Sequence, residues 1–209
     1  MFSGIIKYNG FIYKIKKKEN LYMYFVKLPK NFSNKLEIGS SISCNGCCLT
    51  IHTIQKNIVS FCIIYETIKV TNLGHINIGN KINLEKPISL SKEISGHVMS
   101  GHIICTAKVI NIINVANKYQ IWFKLSNLYF FKYIFYKGYI GIDGVSLTIG
   151  NINNFSFCVN LIPDTLINTT LIDKNIGSIV NIEISSNIQA TVDTVERILN
   201  KKYFEKFLK

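Results

Sequence analysis

No uninterrupted apolar run in this 209-residue chain approaches the roughly 20 residues that a membrane-crossing helix requires. The first twenty residues, "MFSGIIKYNGFIYKIKKKEN", also lack the charged start, apolar stretch and small-residue cleavage site of a signal peptide. A cytoplasmic protein is therefore expected, and its six cysteines (Cys44, Cys47, Cys48, Cys62, Cys105, Cys158) are expected to be reduced thiols rather than a disulfide framework. Arginine is almost missing. Arg197 is the single one, so the net charge of +12 rests on lysine. Nucleic-acid sites more often use arginine, whose planar fork suits phosphate and guanine. The lysines are also scattered, apart from "KIKKKE" at 14–19. The charge follows a composition rich in Ile, Asn, Lys, Tyr and Phe, and neither nucleic acid nor a membrane is expected as a partner.

A second C-x-x-C is missing as well. "SCNGCCLTI" (43–51) contains the pair Cys44 and Cys47, but a zinc site needs four ligands, commonly as two such pairs. A thioredoxin-type pair opens a helix, whereas this one flanks the hairpin dipeptide Asn45-Gly46. Neither a metal nor a redox role is expected here. The other cysteines outside Cys48 and Cys62 read as core or strand filler, since free cysteine behaves as a small hydrophobe.

What is present is β structure. Short runs rich in Ile, Val, Phe and Tyr, such as "VSFCIIY", "QIWFKL" and "FSFCVNLI", are bounded by Gly, Asn and Asp, which predicts an all-β barrel or sandwich. Only 191–209 reads as helix, with Val192, Val195 and Leu199 on one apolar stripe. The basic, aromatic end of that segment raises a membrane alternative, to which a subunit contact is preferred. The run "YFFKYIFYKG" (129–138) is expected to pack a barrel as a short helix or strand.

The most informative feature is an internal repeat. "NGCCLTI" (45–51) returns as "DGVSLTI" (143–149), 98 residues later; "ETIKVTNL" (66–73) and "IGNKINLE" (78–85) return at the same offset as "DTLINTTL" and "IGSIVNIE". "FSGII" (2–6) resembles "MSGHII" (99–104). "SFC" recurs at an offset of 96, which implies two extra residues in the second copy before Asp164. The chain thus reads as two copies of one β domain, 1–96 and 97–186, followed by a helix over 187–209. The repeat keeps the turn and the Leu-Thr-Ile but replaces Cys48 by Ser146. Strand alternation puts Cys48 with Thr50, and Ser146 with Thr148, on one face. Each half therefore presents a small polar pair beside a glycine turn.

In order, "MFSGII", "NGCCLTI", "SGHVMSGHI", "KGYIGIDGVSLTIG", "LIPDTLINTTL", "VNIE" and "DTVER" resemble the riboflavin synthase family, alpha-chain type, from Met1 to about Leu199. The resemblance implies two six-stranded Greek-key β-barrels with a C-terminal helix, assembled as a homotrimer. It implies a transferase that dismutates two molecules of 6,7-dimethyl-8-ribityllumazine. One donates a four-carbon unit to the other, giving riboflavin and 5-amino-6-(ribitylamino)pyrimidinedione with no metal or organic cofactor. A non-catalytic lumazine- or flavin-binding relative is the alternative.

The family's motifs also transfer residue by residue. In the first barrel they place Gly4, Ile5 and Ile6 along one ligand, with Cys48, Leu49 and Thr50 after the turn and Cys62, Ile63, Ile64, Tyr65, Glu66 and Thr67 as a wall. In the second barrel the matching sets are Gly101, His102 and Ile103; Ser146, Leu147 and Thr148; and Leu161, Ile162, Pro163, Asp164, Thr165 and Leu166, with Lys137 as a polar ligand. His102, Ser146 and Cys48 are the catalytic candidates, because histidine moves protons near neutral pH and the other two are small nucleophile-type groups. His97 is left outside the site, nearer the junction of the copies, and His52 and His75 read as surface residues. Two departures stand out. Cys62 and Ser185 occupy places where the family often has an acidic residue, which implies a slower enzyme if either carboxylate serves the rate.

Overall fold

The computed structural model describes residues 1–34, 36–89, 95–116 and 118–207, with side chains as far as residue 200. Strands β1 (Tyr8–Lys18), β2 (Leu21–Lys27), β3 (Ser41–Cys44), β4 (Cys47–Gln55), β5 (Ile58–Ile64) and β6 (Lys81–Glu85) close a barrel in the order β1-β2-β5-β4-β3-β6. Strands β7 (Cys105–Val115), β8 (Lys118–Leu125), β9 (Tyr139–Ile142), β10 (Val145–Asn153), β11 (Ser156–Leu161) and β12 (Ile179–Glu183) close a second barrel in the corresponding order. All pairs are antiparallel, and a bulge interrupts β1, β4, β7 and β10 at matching places. Such bulges add the local twist that a small closed barrel needs. Inward-facing Phe61 fills the first core, and Phe123 and Phe157 fill the second. Each is fully buried and contributes roughly 1.5–3 kcal/mol.

The predicted hairpin turns form. Asn45 and Gly46, and Asp143 and Gly144, all adopt positive φ, as both central residues of a type I′ turn must. The two turns meet back to back on a pseudo-twofold axis, where a Cβ on Gly46 would stand 2.7 Å from the Gly144 nitrogen. Reciprocal amide bonds join the halves there: Asn83 Nδ2 donates to the Asp143 carbonyl at 2.9 Å, and Asn181 Nδ2 to the Asn45 carbonyl at 2.8 Å. The symmetry breaks around Asp143, whose Oδ1 accepts from Asn72 Nδ2 at 2.9 Å where the other half has Thr170. Asp143, fully buried, accepts an ion pair from Lys174 at 2.7 Å, whereas the matching positions hold Asn45 and Ile76.

Register corrects one inference from the repeat. Phe61 pairs with Ile51, and Val159 with Ile149, so Phe61 corresponds to Val159 at the same offset of 98. The second copy carries no two-residue insertion, and the "SFC" match is an accident of strand composition. Helices α1 (Tyr65–Val70) and α2 (Pro163–Asn168) also keep that offset.

The segments before β1 and β7 do not stay with their own barrels. Phe2 and Met99 exchange backbone hydrogen bonds at 2.8 and 2.9 Å. Beyond that bridge the chains cross: Ile6 joins the second barrel's core, and Ile103 packs against the first. The expected grouping is thus reversed for Ile6 and Ile103, and for the carbonyls of Gly4 and Gly101, while Ile5 stays beside Tyr8 and Leu84 of the first barrel. Two barrels of one ancestry offer nearly equal docking surfaces, and a repeat cannot say which of them a flanking segment takes.

Helix α3 (Ser186–Phe207) follows β12 directly; residues 208–209 of the expected helix lie outside the described residues. Ile188 and Val192 pack on the second barrel, so the expected stripe of Val192, Val195 and Leu199 divides. Val195, Ile198 and Leu199 are left half-exposed or more. Lys132, in the short 3-10 segment Leu128–Tyr133 of the aromatic run, anchors the helix through Asp193 at 2.8 Å and Glu196 at 2.6 Å. Among the described residues no helix is long and apolar enough to cross a membrane; the side chains of the basic terminal segment lie outside them.

Candidate active site

Two outward-facing platforms follow from strand alternation. On β4, Cys47, Leu49 and Ile51 point into the barrel while Cys48 and Thr50 face out; on β10, Val145, Leu147 and Ile149 point in while Ser146 and Thr148 face out. Leu49, Leu147, Ile63 and Leu161, expected as site residues, are core side chains and have only backbone groups to offer a ligand.

Each platform is completed by the segment that crosses from the other half. The Ser146 amide donates to the Gly4 carbonyl at 2.8 Å, and the Cys48 amide to the Gly101 carbonyl at 2.9 Å. Gly4 and Gly101 have φ of +75° and +82°, and a Cβ on either would stand 2.5 or 2.6 Å from the Ser146 or Cys48 Cβ. Only glycine meets both demands. Behind the crossing segments sit two buried carboxylates. Glu85 accepts from the Ser3 amide and hydroxyl, both at 2.7 Å, and from the Gly4 amide at 3.0 Å. Glu183 accepts from the Ser100 amide at 2.6 Å, the Ser100 hydroxyl at 2.8 Å and the Gly101 amide at 3.1 Å. Burial pushes both carboxyl groups above their ordinary range.

The two platforms differ in their histidines. Ser146 Oγ lies 2.7 Å from His97 Nδ1, and the imidazole stacks on Tyr139 with ring centroids 5.5 Å apart. Burial lowers the His97 pKa, which keeps the ring neutral and basic at neutral pH. Its Nε2 is buried with no hydrogen-bond partner among the described residues. Gly96, immediately before it, lies against Ser3 O and Ser146, where a side chain has no room. His97 is the residue that reading the sequence left out. Its signal was the twice-used Gly-His of "SGHVMSGHI". His102 follows Gly101, whose carbonyl holds the Cys48 amide, and it is exposed to solvent.

The wall segments lie at the ends of β5 and β11. Ile64 is 56% exposed, Tyr65 52% and Ile162 63%. Cys62, Glu66, Pro163 and Asp164 are exposed beside them, and Thr67, Thr165 and Leu166 are half-buried. Apolar faces beside hydroxyls suit a flat heterocycle with a polyhydroxylated tail. Lys137, at the turn before β9 with φ +66°, donates its amide to the Ile149 carbonyl of β10 at 2.9 Å, and its Nζ lies 5.3 Å from the Tyr136 ring centroid. All six cysteines are free. Cys44, Cys47, Cys105 and Cys158 are buried, and burial pushes the Cys47 and Cys105 thiols up to about 12, which leaves them inert as nucleophiles.

Comparison with known proteins agrees with this arrangement. The lumazine binding domain family matches twice, over residues 3–87 and 100–185. The riboflavin synthase of Escherichia coli (strain K12) is 48% identical over 199 residues, covering 95% of this chain and 93% of that protein. The riboflavin synthase of Buchnera aphidicola subsp. Baizongia pistaciae (strain Bp) is 44% identical over 208 residues, 100% of this chain and 98% of that one. A crystal structure of LumP complexed with 6,7-dimethyl-8-(1'-D-ribityl) lumazine superposes with a TM-score of 0.81 at 29% identity, over 89% of this chain and 100% of LumP. LumP complexed with riboflavin gives 0.82 at 30%, with the same coverage. With two matched domains and near-full-length relatives at this identity, the chain belongs to the riboflavin synthase family of paired lumazine-binding domains.

Proposed function

We propose that this chain converts two molecules of 6,7-dimethyl-8-ribityllumazine into riboflavin and 5-amino-6-(ribitylamino)pyrimidinedione, by transfer of a four-carbon unit. One observation carries the reading. A single chain holds two platforms of the same construction, each with a small nucleophile-type side chain on an outward strand face and a glycine segment laid across it. A reaction between two copies of one molecule needs such a pair of sites. The two substrates together contain every atom of the two products. Holding two rings in register supplies orientation worth up to roughly 7–11 kcal/mol.

Within that frame, the Ser146–His97 pair moves the proton of the acidic C7 methyl group, whose carbanion the ring itself stabilises. The neutral imidazole takes the proton and the hydroxyl positions it. His102, next to the Gly101 that holds the Cys48 amide, is the proton-transfer group of the other pocket. Thr50, Thr67, Thr148 and Thr165 meet ribityl hydroxyls, and Lys137 gives a further polar contact. The chain works as a cytoplasmic homotrimer. The half-exposed Val195, Ile198 and Leu199 of an anchored α3 supply an apolar subunit contact, and the free thiols suit a reducing compartment.

Incubating the purified protein with the lumazine and following riboflavin absorbance tests this reading. Turnover supports it. Lumazine bound without turnover replaces it with a non-catalytic binding protein.

A further inference from the structure

Glu85 and Glu183 form no ion pair with a lysine or arginine among the described residues, yet they are only 8% and 3% exposed. A buried carboxylate without a cation costs stability. What it gives uniquely is two acceptor oxygens for three converging donors, and both residues use them in the same way on the two crossing segments. The next bond in each chain of contacts reaches a catalytic candidate: Gly4 O holds the Ser146 amide, and Gly101 O holds the Cys48 amide. Ser100 also receives the His102 amide on its hydroxyl at 3.1 Å, so the same carboxylate sets where His102 leaves the segment.

We propose that Glu85 and Glu183 are positioning residues that act across the molecule. Glu85 of the first barrel fixes the Ser146 platform of the second, and Glu183 of the second fixes the Cys48 platform of the first. The inference rests on the reading of the chain as a riboflavin-forming enzyme. It adds that the two pockets are coupled reciprocally, each barrel supplying the clamp that shapes the other's.

Glu183→Gln and Glu85→Gln test it. A glutamine keeps one acceptor for the serine donors but turns its amide nitrogen toward the glycine N–H, so the glycine is released while the volume stays the same. Amide hydrogen exchange by mass spectrometry is read on the hairpin peptides 45–51 and 143–149. Glu183→Gln is expected to speed exchange in 45–51 alone, and Glu85→Gln in 143–149 alone. Each is expected to lower kcat about 10- to 100-fold with KM changed less than about threefold, since misplacement by about an ångström costs that much. Faster exchange in the hairpin of the mutated residue's own barrel overturns the proposal, and so does no change in either hairpin. Should a glutamine variant fail to fold, Ser100→Ala and Ser3→Ala remove one donor each and must give the same crossed pattern at smaller amplitude. If the unaltered protein makes no riboflavin, the functional reading fails by itself, while the exchange pattern still decides the crossed placement.

Discussion

The first barrel offers Cys48 with no side-chain hydrogen bond among the described residues, whereas the second offers Ser146 hydrogen-bonded to His97. The difference follows the chemistry of the two groups. A hydroxyl holds a neutral imidazole in place by a hydrogen bond, whereas a thiol is only a weak donor and acceptor. The half that carries the hydroxyl has gained the buried imidazole. Around this contrast the frame is held constant: the same turn, glycine crossing, carboxylate clamp and strand order occur in both barrels. A duplicated domain can therefore bind two copies of one molecule in different roles by changing very few side chains.

The largest expected effect lies on the pseudo-twofold axis, where the second half carries a buried ion pair and the first does not. Lys174→Ile gives the second barrel the residue that Ile76 is in the first and strands the Asp143 carboxylate, which is fully buried. Removing one partner of such a pair costs about 3–5 kcal/mol, read by urea denaturation. Adding Asp143→Asn copies the Asn45–Ile76 arrangement and should recover most of the loss. If the double variant stays as unstable as the single one, the two halves are not interchangeable at this contact. Next come Gly4→Ala and Gly101→Ala, each costing about 2–3 kcal/mol through a left-handed backbone and a Cβ overlap. Equal losses keep the comparison symmetric; a clear inequality means that one crossing segment matters more to folding.

Activity should break the symmetry that stability keeps. Ser146→Ala is expected to lower kcat about 100-fold, which is about 2.7 kcal/mol, because it removes the partner of a poised base. Cys48→Ala should lower it less than about tenfold. Matching losses from single-turnover kinetics would mean that the two groups share one task despite their different surroundings.

The sequence made the repeat, the barrels, the hairpin turns and the outward pairs Cys48–Thr50 and Ser146–Thr148 legible, because each rests on local chemistry or on period-two alternation. It did not show the crossing of Gly4 and Ile6 to the second barrel and of Gly101 and Ile103 to the first, for which both barrels present similar partners. His97 was missed for a related reason. Its meaning lies in one contact with Ser146, 49 residues away, and no local pattern marks a long-range hydrogen bond. The unequal match of "SFC" misled in the opposite direction, since three residues of strand composition recur easily and only pairing register exposes them.

The smallest effect, and the one that isolates His97, concerns pH. Burial holds this imidazole below its ordinary pKa of about 6.5, so the folded protein keeps it neutral where the unfolded chain already binds a proton. Its contribution to stability is complete above about pH 6.5 and drains away as pH falls toward the lowered value. The raised carboxyl groups of Glu85 and Glu183 act in the other direction. Their contribution is present below the ordinary carboxylate pKa and is lost as pH rises through the raised one. Stability alone therefore blurs the two, but rate does not. kcat/KM should be flat near neutrality and fall on an acid limb that begins below about pH 6.5. His97→Gln should lower the plateau and remove that limb, while Cys48→Ala leaves its midpoint unchanged. A limb that survives in His97→Gln would assign the base to His102 or the clamp carboxylates, and with it the catalytic difference between the two barrels would vanish.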